Sequence, residues 1–210
     1  KMGNKLNSIT AAEIGVYKGD NAENILRGVS NIGKLYLIDN FNIGDKWFTD
    51  EQGKPMNKEL RDEFVKEVEQ RFSKYSKVFL IKKSSLEASE DFTDESLDYC
   101  YIDGAHDYDN IKQDLHLWYP KVKEMGMLAG HDVHYPDVTK AIIEFSVMKE
   151  LSVFYVGLVR NSCVPQEIDF VGDDDHRRPA IRSAGPRHDL ERVPRLAIER
   201  LRYAQRRGLR

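Results

Sequence analysis

Cysteine is nearly absent from this chain: two in 210 residues, Cys100 and Cys163. Neither has metal-ligand or redox spacing, which excludes a disulfide-stapled scaffold and a cysteine-based zinc module. Both fall in apolar runs and are expected as buried, reduced thiols, in keeping with a cytoplasmic setting. No apolar run is long enough to span a bilayer, and no secretory leader is visible, so no membrane partner is expected. Strong charge of either sign is missing as well. A net charge of -3, with a pI near 6.1, argues against nonspecific nucleic-acid binding by the whole protein. Lysine disappears after Lys149. From Asp173 onward the basic residues are arginine or histidine, which marks 173–210 as an Arg-rich tail of different origin from a main domain over 1–172. An apolar stripe of Leu190, Val193, Ala197 and Leu201 would make part of that tail a basic helix.

What the chain does have is the run Glu13-Ile14-Gly15-Val16-Tyr17-Lys18-Gly19-Asp20, at the point where an apolar strand gives way to a helix. A second acid, Asp39, followed by Asn40, ends the next apolar run. In a strand-loop-helix unit, glycines let the backbone approach a ligand, while an acid at the second strand tip can bind two ribose hydroxyls. The loop lacks the middle glycine of the dinucleotide fingerprint Gly-x-Gly-x-x-Gly, which disfavours a dehydrogenase. An adenosine ligand without a pyrophosphate fits better, and a cationic amine on it would suit the Glu13 carboxylate. S-adenosylmethionine has those features.

Apolar runs and amphipathic segments alternate along the chain. Strands are expected over 8–15, 34–39, 77–82, 97–103, 127–131 and 152–159, with 168–171 able to pair beside the last. Helices are expected over 21–28, 58–75, 86–89, 108–123 and 137–149. Alternation of this kind specifies an α/β protein with a doubly wound, mostly parallel, Rossmann-like sheet. The best-marked helix carries Ile111, Leu115, Trp118 and Val122 at helical spacing, with Pro120 and Gly126 marking its end. A long loop over 40–57, bearing Trp47 and Phe48, leaves the sheet where ligands of open α/β sheets bind, so these rings are either lid or core cover.

Two further runs place chemistry at strand tips. Ile102-Asp103-Gly104-Ala105-His106-Asp107-Tyr108 and Gly130-His131-Asp132-Val133-His134 would bring Asp103, His106, His131 and Asp132 to one edge of the pocket, since adjacent strands lie about 4.8 Å apart. Such a cluster can hold a divalent cation that activates a substrate hydroxyl, or it can use a histidine as general base. His116 and His134 are read as bracing groups instead.

In order and spacing these motifs resemble the class I S-adenosylmethionine-dependent methyltransferases, nearest the branch of macrocin O-methyltransferase-like and cephalosporin-hydroxylase-like proteins. The resemblance covers 9–159. Helices usually precede the first strand in such proteins, so an upstream segment is expected. The resemblance implies that Glu13, Gly15 and Gly19 surround the methionine part of the cofactor, that Asp39 binds the ribose hydroxyls and that Ser85 lies beside the adenine; Tyr17, Asn40 and Ser84 are further cofactor-binding candidates. Ser84 stands where an acid is usual. Asp103 also borders the cofactor, and with Asp132 it occupies positions that bind Mg2+ in metal-dependent relatives, while His131, the third metal candidate, stands where some relatives carry a carboxylate. His106, His131 and Asp103 are the catalytic candidates. The expected reaction is O-methylation of a small hydroxylated acceptor such as a sugar, glycoside or polyketide-like metabolite. The alternatives are a nucleic-acid-binding protein or RNA methyltransferase using the basic tail, and a catalytically silent cofactor binder. A homo-oligomer stays open.

Overall fold

The protein is seen in a computed structural model, which describes residues 8–41, 58–159, 162–167 and 195–199. Five strands run parallel: β1 (Ile9–Ile14), β2 (Ile32–Ile38), β3 (Val78–Ile81), β4 (Leu97–Ile102) and β5 (Val122–Gly130), in the spatial order β3-β2-β1-β4-β5. The helices between them are α1 (Asp20–Gly28), α2 (Lys58–Phe72), α3 (Ser85–Ser89), α4 (Tyr108–Trp118) and α5 (Pro136–Lys149). On the outer side of β5 the sheet continues through three antiparallel neighbours, in the order β8 (Arg195–Glu199), β6 (Val153–Val159) and β7 (Ser162–Glu167). The α/β, doubly wound, mostly parallel sheet expected from the alternation is therefore the one that forms.

Side chains alternate across a strand, so consecutive residues of a central strand serve opposite layers. Ala11 faces the layer of α1 and α2, packing with Leu35, Leu37, Phe64, Val68 and Phe72. Ala12 and Ile14 face the opposite layer, with Trp118 of α4 and Phe145 of α5. A strand buried on both faces shows no polar alternation, which is why β1 reads as a nearly unbroken apolar run. The far ends of the strands are tied by Asp98, which accepts the Thr10 amide at 2.8 Å and the Lys123 ammonium at 2.7 Å.

Three boundaries differ from the sequence reading. The helix expected to reach Lys123 stops at Trp118, because Pro120 removes an amide and the chain tightens into a 3-10 turn over Tyr119–Lys121. Val122, read as the last of the helical stripe, is instead the first residue of β5, opposite Leu97. It is buried all the same. The ladder then skips from Leu97↔Val122 to Tyr99↔Met127, leaving Lys123–Gly126 as an irregularity, and a side chain at Gly126 would meet the Asp98 carbonyl at 2.9 Å. In the tail, Ala197, expected on a helix, lies in strand β8, paired with Ala129 of β5 and Phe154 of β6. Pairing with the open edge of β5 satisfies its backbone groups, an option that helical periodicity does not register. The strand paired beside β6 on its other side is Ser162–Glu167. Residues 168–171, proposed for that place, lie outside the described residues, as do Trp47, Phe48 and the rest of the tail.

Candidate functional site

The carboxyl ends of β1, β2, β3, β4 and β5 open onto a cavity of ≈ 620 Å³ lined by the glycine loop, Asp39, the turn into α3, the start of α4 and the Asp103–Asp132 cluster. Of the residues expected at a site, Glu13, Gly15, Tyr17, Asp39, Asn40, Ser84, Ser85, Asp103, His106, His131 and Asp132 all line it. Gly19 does not. Its φ of 78° makes it the left-handed N-cap of α1, and a side chain there would strike the Phe72 ring at 2.4 Å. It serves the packing of α1 on α2.

Gly15 is required by both conformation and space. Its φ is 87°, and a Cβ would lie 2.2 Å from the Asp103 carbonyl oxygen, so the glycine loop and the β4 tip touch backbone to backbone. Tyr17 follows with a left-handed φ of 48°. Asp39 holds this turn: its Oδ2 accepts the amides of Val16 at 2.9 Å and Tyr17 at 3.1 Å, and its Oδ1 accepts that of Phe41 at 2.8 Å. A carboxylate has about four acceptor positions, and three are already engaged by the backbone. Beneath the loop Glu13 is 1% exposed. Asn21, in the first turn of α1, buries its Nδ2 without a hydrogen-bond partner among the described residues, although the residue borders the cavity.

At the other end, Asp132 collects three imidazoles. His106 Nε2 lies 2.5 Å from its Oδ2, and the Nδ1 atoms of His131 and His134 lie 3.1 and 3.7 Å from its Oδ1. Burial pushes the Asp132 carboxyl upward, but the contacts with His106 and His131 outweigh it and hold the group well below the usual carboxylate range. The backbone of Asp132 has a φ of 60°, a conformation that non-glycine residues seldom adopt and that concentrates at functional sites. The His106 ring stacks on Tyr135, with centroids 5.0 Å apart. Asp103, His131 and Asp132 each offer a ligand atom within 4.8 Å of the others, a set of two carboxylates and an imidazole suited to a divalent cation. His116 lies away from the site, with Nδ1 2.7 Å from the Lys112 carbonyl and its ring against Phe145.

On the third side, Ser84 is the N-cap of α3 and forms a reciprocal capping box with Glu87. Ser85 donates its hydroxyl to Asp114 Oδ1 at 2.5 Å and accepts the Trp118 indole N–H at 2.7 Å. Asp114 was not anticipated. It is 5% exposed and borders the cavity. Burial pushes its carboxyl up to about 6, against the Ser85 hydrogen bond that favours the charged form, and the negative charge of Asp107 adds to the rise. Burial, and after it the negative charge of Asp114, raises the thiol of Cys100. The signal was legible: Asp114 sits three residues after Ile111 and four before Trp118, an acid in the middle of the apolar stripe.

A methyltransferase-domain family model matches residues 12–133. The chain belongs to that methyltransferase family. The match begins in β1 and ends one residue past Asp132, so it takes in every strand tip that walls the cavity. A stretch of 63 residues of this chain is 33% identical to an uncharacterized protein, y4gI, of Sinorhizobium fredii, and covers 30% of the present chain but 7% of that protein. Among solved structures, a SAM-dependent O-methyltransferase of Thermotoga maritima superposes with a TM-score of 0.53 at 14% identity, over 93% of this chain and 60% of that one. A protein described as a caffeoyl-CoA O-methyltransferase from Staphylococcus aureus gives a TM-score of 0.52 at 13% identity, over 91% of this chain and 76% of its own. At such identities the likeness is one of fold: the parallel sheet with its flanking helices is shared with these proteins. Among the described residues no helix is long and apolar enough to cross a membrane.

Proposed function

We propose that this methyltransferase binds S-adenosylmethionine in the glycine-loop half of the cavity and methylates a hydroxyl of a small metabolite, such as a sugar, glycoside or polyketide-like molecule, held at the Asp103–Asp132 half. The observation that carries the reading is that one cavity is walled by both halves, so a methyl donor and a proton acceptor share a space. The residues fit the cofactor. Gly15 leaves the backbone gap, the buried Glu13 carboxylate suits a cationic amine, and the Asn21 amide offers a donor that lacks a partner among the described residues. Asp39, with three acceptor positions engaged by backbone amides, retains about one for a ribose hydroxyl.

The cofactor, when bound, supplies an electrophilic methyl group on a sulfonium. The chain supplies alignment, which can contribute on the order of 7–11 kcal/mol to lowering a barrier. As the acceptor oxygen takes the methyl, its proton passes to the imidazole of His106, and Asp132 beside that ring stabilises the positive charge that develops. Asp103, His131 and Asp132 would hold a divalent cation, Mg2+ or an ion more tolerant of nitrogen, and such an ion would lower the pKa of a bound hydroxyl.

Calorimetric titration with S-adenosylhomocysteine and with NAD, each with and without Mg2+, tests the cofactor assignment. The expected outcome is micromolar binding of the adenosyl ligand and none of NAD; no adenosyl binding defeats the reading. His106→Gln is expected to leave that affinity intact while cutting methyl transfer to a hydroxylated acceptor by about 10²–10⁴-fold. Full transfer activity in the variant would remove His106 from the reaction.

A further inference from the structure

His106 sits on the irregular stretch between the β4 tip and α4, one residue before Asp107, the N-cap of that helix. Its side chain is 19% exposed and meets Asp132 along one edge, with Nε2 2.5 Å from Oδ2. The outer torsion of a histidine is broad and soft, so a contact at one edge leaves the tilt of the ring plane loose. Tyr135 supports the face. Its ring lies against that of His106 with centroids 5.0 Å apart and planes 26° from parallel, an offset arrangement in which aromatic rings attract. Tyr135 also touches the His134 ring, with centroids 4.2 Å apart, and packs against the core cluster that holds Trp118 and Phe145. The backbone of Tyr135 is fixed as well. Pro136 takes the first position of α5 and confines the residue before it to extended conformations, and Tyr135 has φ -78° and ψ 126°. Its amide donates to the Asp132 carbonyl at 2.9 Å, closing the turn in which Asp132 has its left-handed φ, and its carbonyl accepts the Thr139 amide at 3.1 Å. One residue therefore ties down Asp132 through the main chain and His106 through the ring.

Resting on the reading of His106 as the group that takes the acceptor's proton, we infer that Tyr135 is a positioning residue of the reaction: its ring holds the His106 imidazole against Asp132, and its amide holds Asp132 in place to meet it. A base that swings off its partner carboxylate loses both its reach to the proton it abstracts and the charge that stabilises its protonated form. Geometry set before the acceptor arrives is worth more than geometry that has to be found during the reaction, because the ordering of the ring is then already done. Stacking supplies that constraint without engaging either ring nitrogen, which leaves the donor and acceptor capacity of the imidazole to Asp132 and the substrate. The aromatic face does this and the phenol hydroxyl does not, so phenylalanine can stand in for tyrosine at this position. Leucine cannot, although it is apolar and fills part of the same space.

The experiment is nuclear magnetic resonance of the whole chain labelled with nitrogen-15, read at the imidazole N–H groups, in the wild type, Tyr135→Phe and Tyr135→Leu, with folding checked by thermal melting and S-adenosylhomocysteine affinity measured by calorimetry. An imidazole N–H held on a carboxylate in a sheltered site exchanges with water slowly enough to be seen, whereas that of a freely turning ring does not. The wild type is expected to show such a proton, identified by its disappearance in His106→Gln. Tyr135→Phe should keep it and Tyr135→Leu should lose it, while both variants keep the wild-type affinity for S-adenosylhomocysteine, since Tyr135 stands at the Asp103–Asp132 end of the site. Absence of the proton in the wild type overturns the inference, as does its survival in Tyr135→Leu or its loss in Tyr135→Phe. Loss of ligand affinity together with the proton would mean that the substitution disturbs the whole cavity, and that result also counts against a positioning role. If the wild type binds no S-adenosylhomocysteine, the methyl-transfer reading falls and the role of Tyr135 with it, whereas firm binding with a proton indifferent to Tyr135 removes this inference alone. Should Tyr135→Leu not fold, the wild type is tested for nuclear Overhauser contacts between the His106 and Tyr135 rings, whose presence supports the stack and whose absence refutes it.

Discussion

Asp114 and Asp132 are both aspartates in one cavity, and their surroundings drive them in opposite directions: burial raises the first, while imidazoles hold the second down despite burial. The raised group has a consequence for stability. Between its unfolded pKa near 3.8 and its folded value of about 6, the folded chain keeps a proton that the unfolded chain has lost, so this residue makes stability fall as pH rises through that window and then level off. Asp114→Asn cannot titrate. Its stability advantage over the wild type, read from urea unfolding at a series of pH values, should therefore grow from near zero at pH 4 to about 3 kcal/mol at pH 7. A flat difference curve would show that the carboxyl is not buried as described. Residue by residue, the strand-tip acids and histidines were legible because glycine and charge interrupt apolar runs at fixed places. Asp39 was legible as a carboxylate at the second strand tip, yet its grip on three backbone amides was not, because those amides belong to the loop after another strand and to Phe41.

Between elements, the start of α1 is held from outside by α2. Arg71 donates to the Lys18 carbonyl at 2.6 Å and to Asp20 at 2.7 Å, and its other terminal nitrogen reaches Glu23 at 2.5 Å. The hydrogen bond to Glu23 lowers the pKa of that carboxyl and raises that of the guanidinium. Lys18 and Asp20 also border the cavity, so the clamp braces one wall of it. Replacing Arg71 with methionine keeps the aliphatic stem and removes the fork. Melting temperature should drop by about 2–4 °C, with a parallel loss of affinity for the adenosyl ligand. If affinity holds while the melting temperature falls, the clamp is structural only. None of this was visible in the sequence, where Arg71 is one more charge on a solvated helix, 48 to 53 residues from its partners. The end of α4 shows a different gap. Proline foretold the stop, but helical periodicity carried the reading to Val122, because a buried first strand residue and a buried helix residue look alike in a string of letters.

At the scale of the whole molecule, the parallel core is a five-strand unit with a layer of helices on each face, and β8 joins it to the β6-β7 pair. Because β8 bonds to β5 on one side and β6 on the other, removing residues 195–210 should unpair two ladders and lower the melting temperature by on the order of 5 °C or more. An unchanged melting curve would mean that this strand contributes nothing to stability. The amino-acid sequence by itself determined the class of the fold, the order of strands and helices through α5, and which loops carry acids, glycines and histidines, since period, turn chemistry and polarity are local properties. Only the tertiary structure decided that Gly15 rests on the Asp103 carbonyl, that Arg71 braces α1, that a tail segment joins the sheet and that an acid from the middle of α4 reaches the cavity. Each of those is a meeting of groups far apart along the chain, and the free energy that selects it comes from desolvation and packing between elements, which local patterns do not encode.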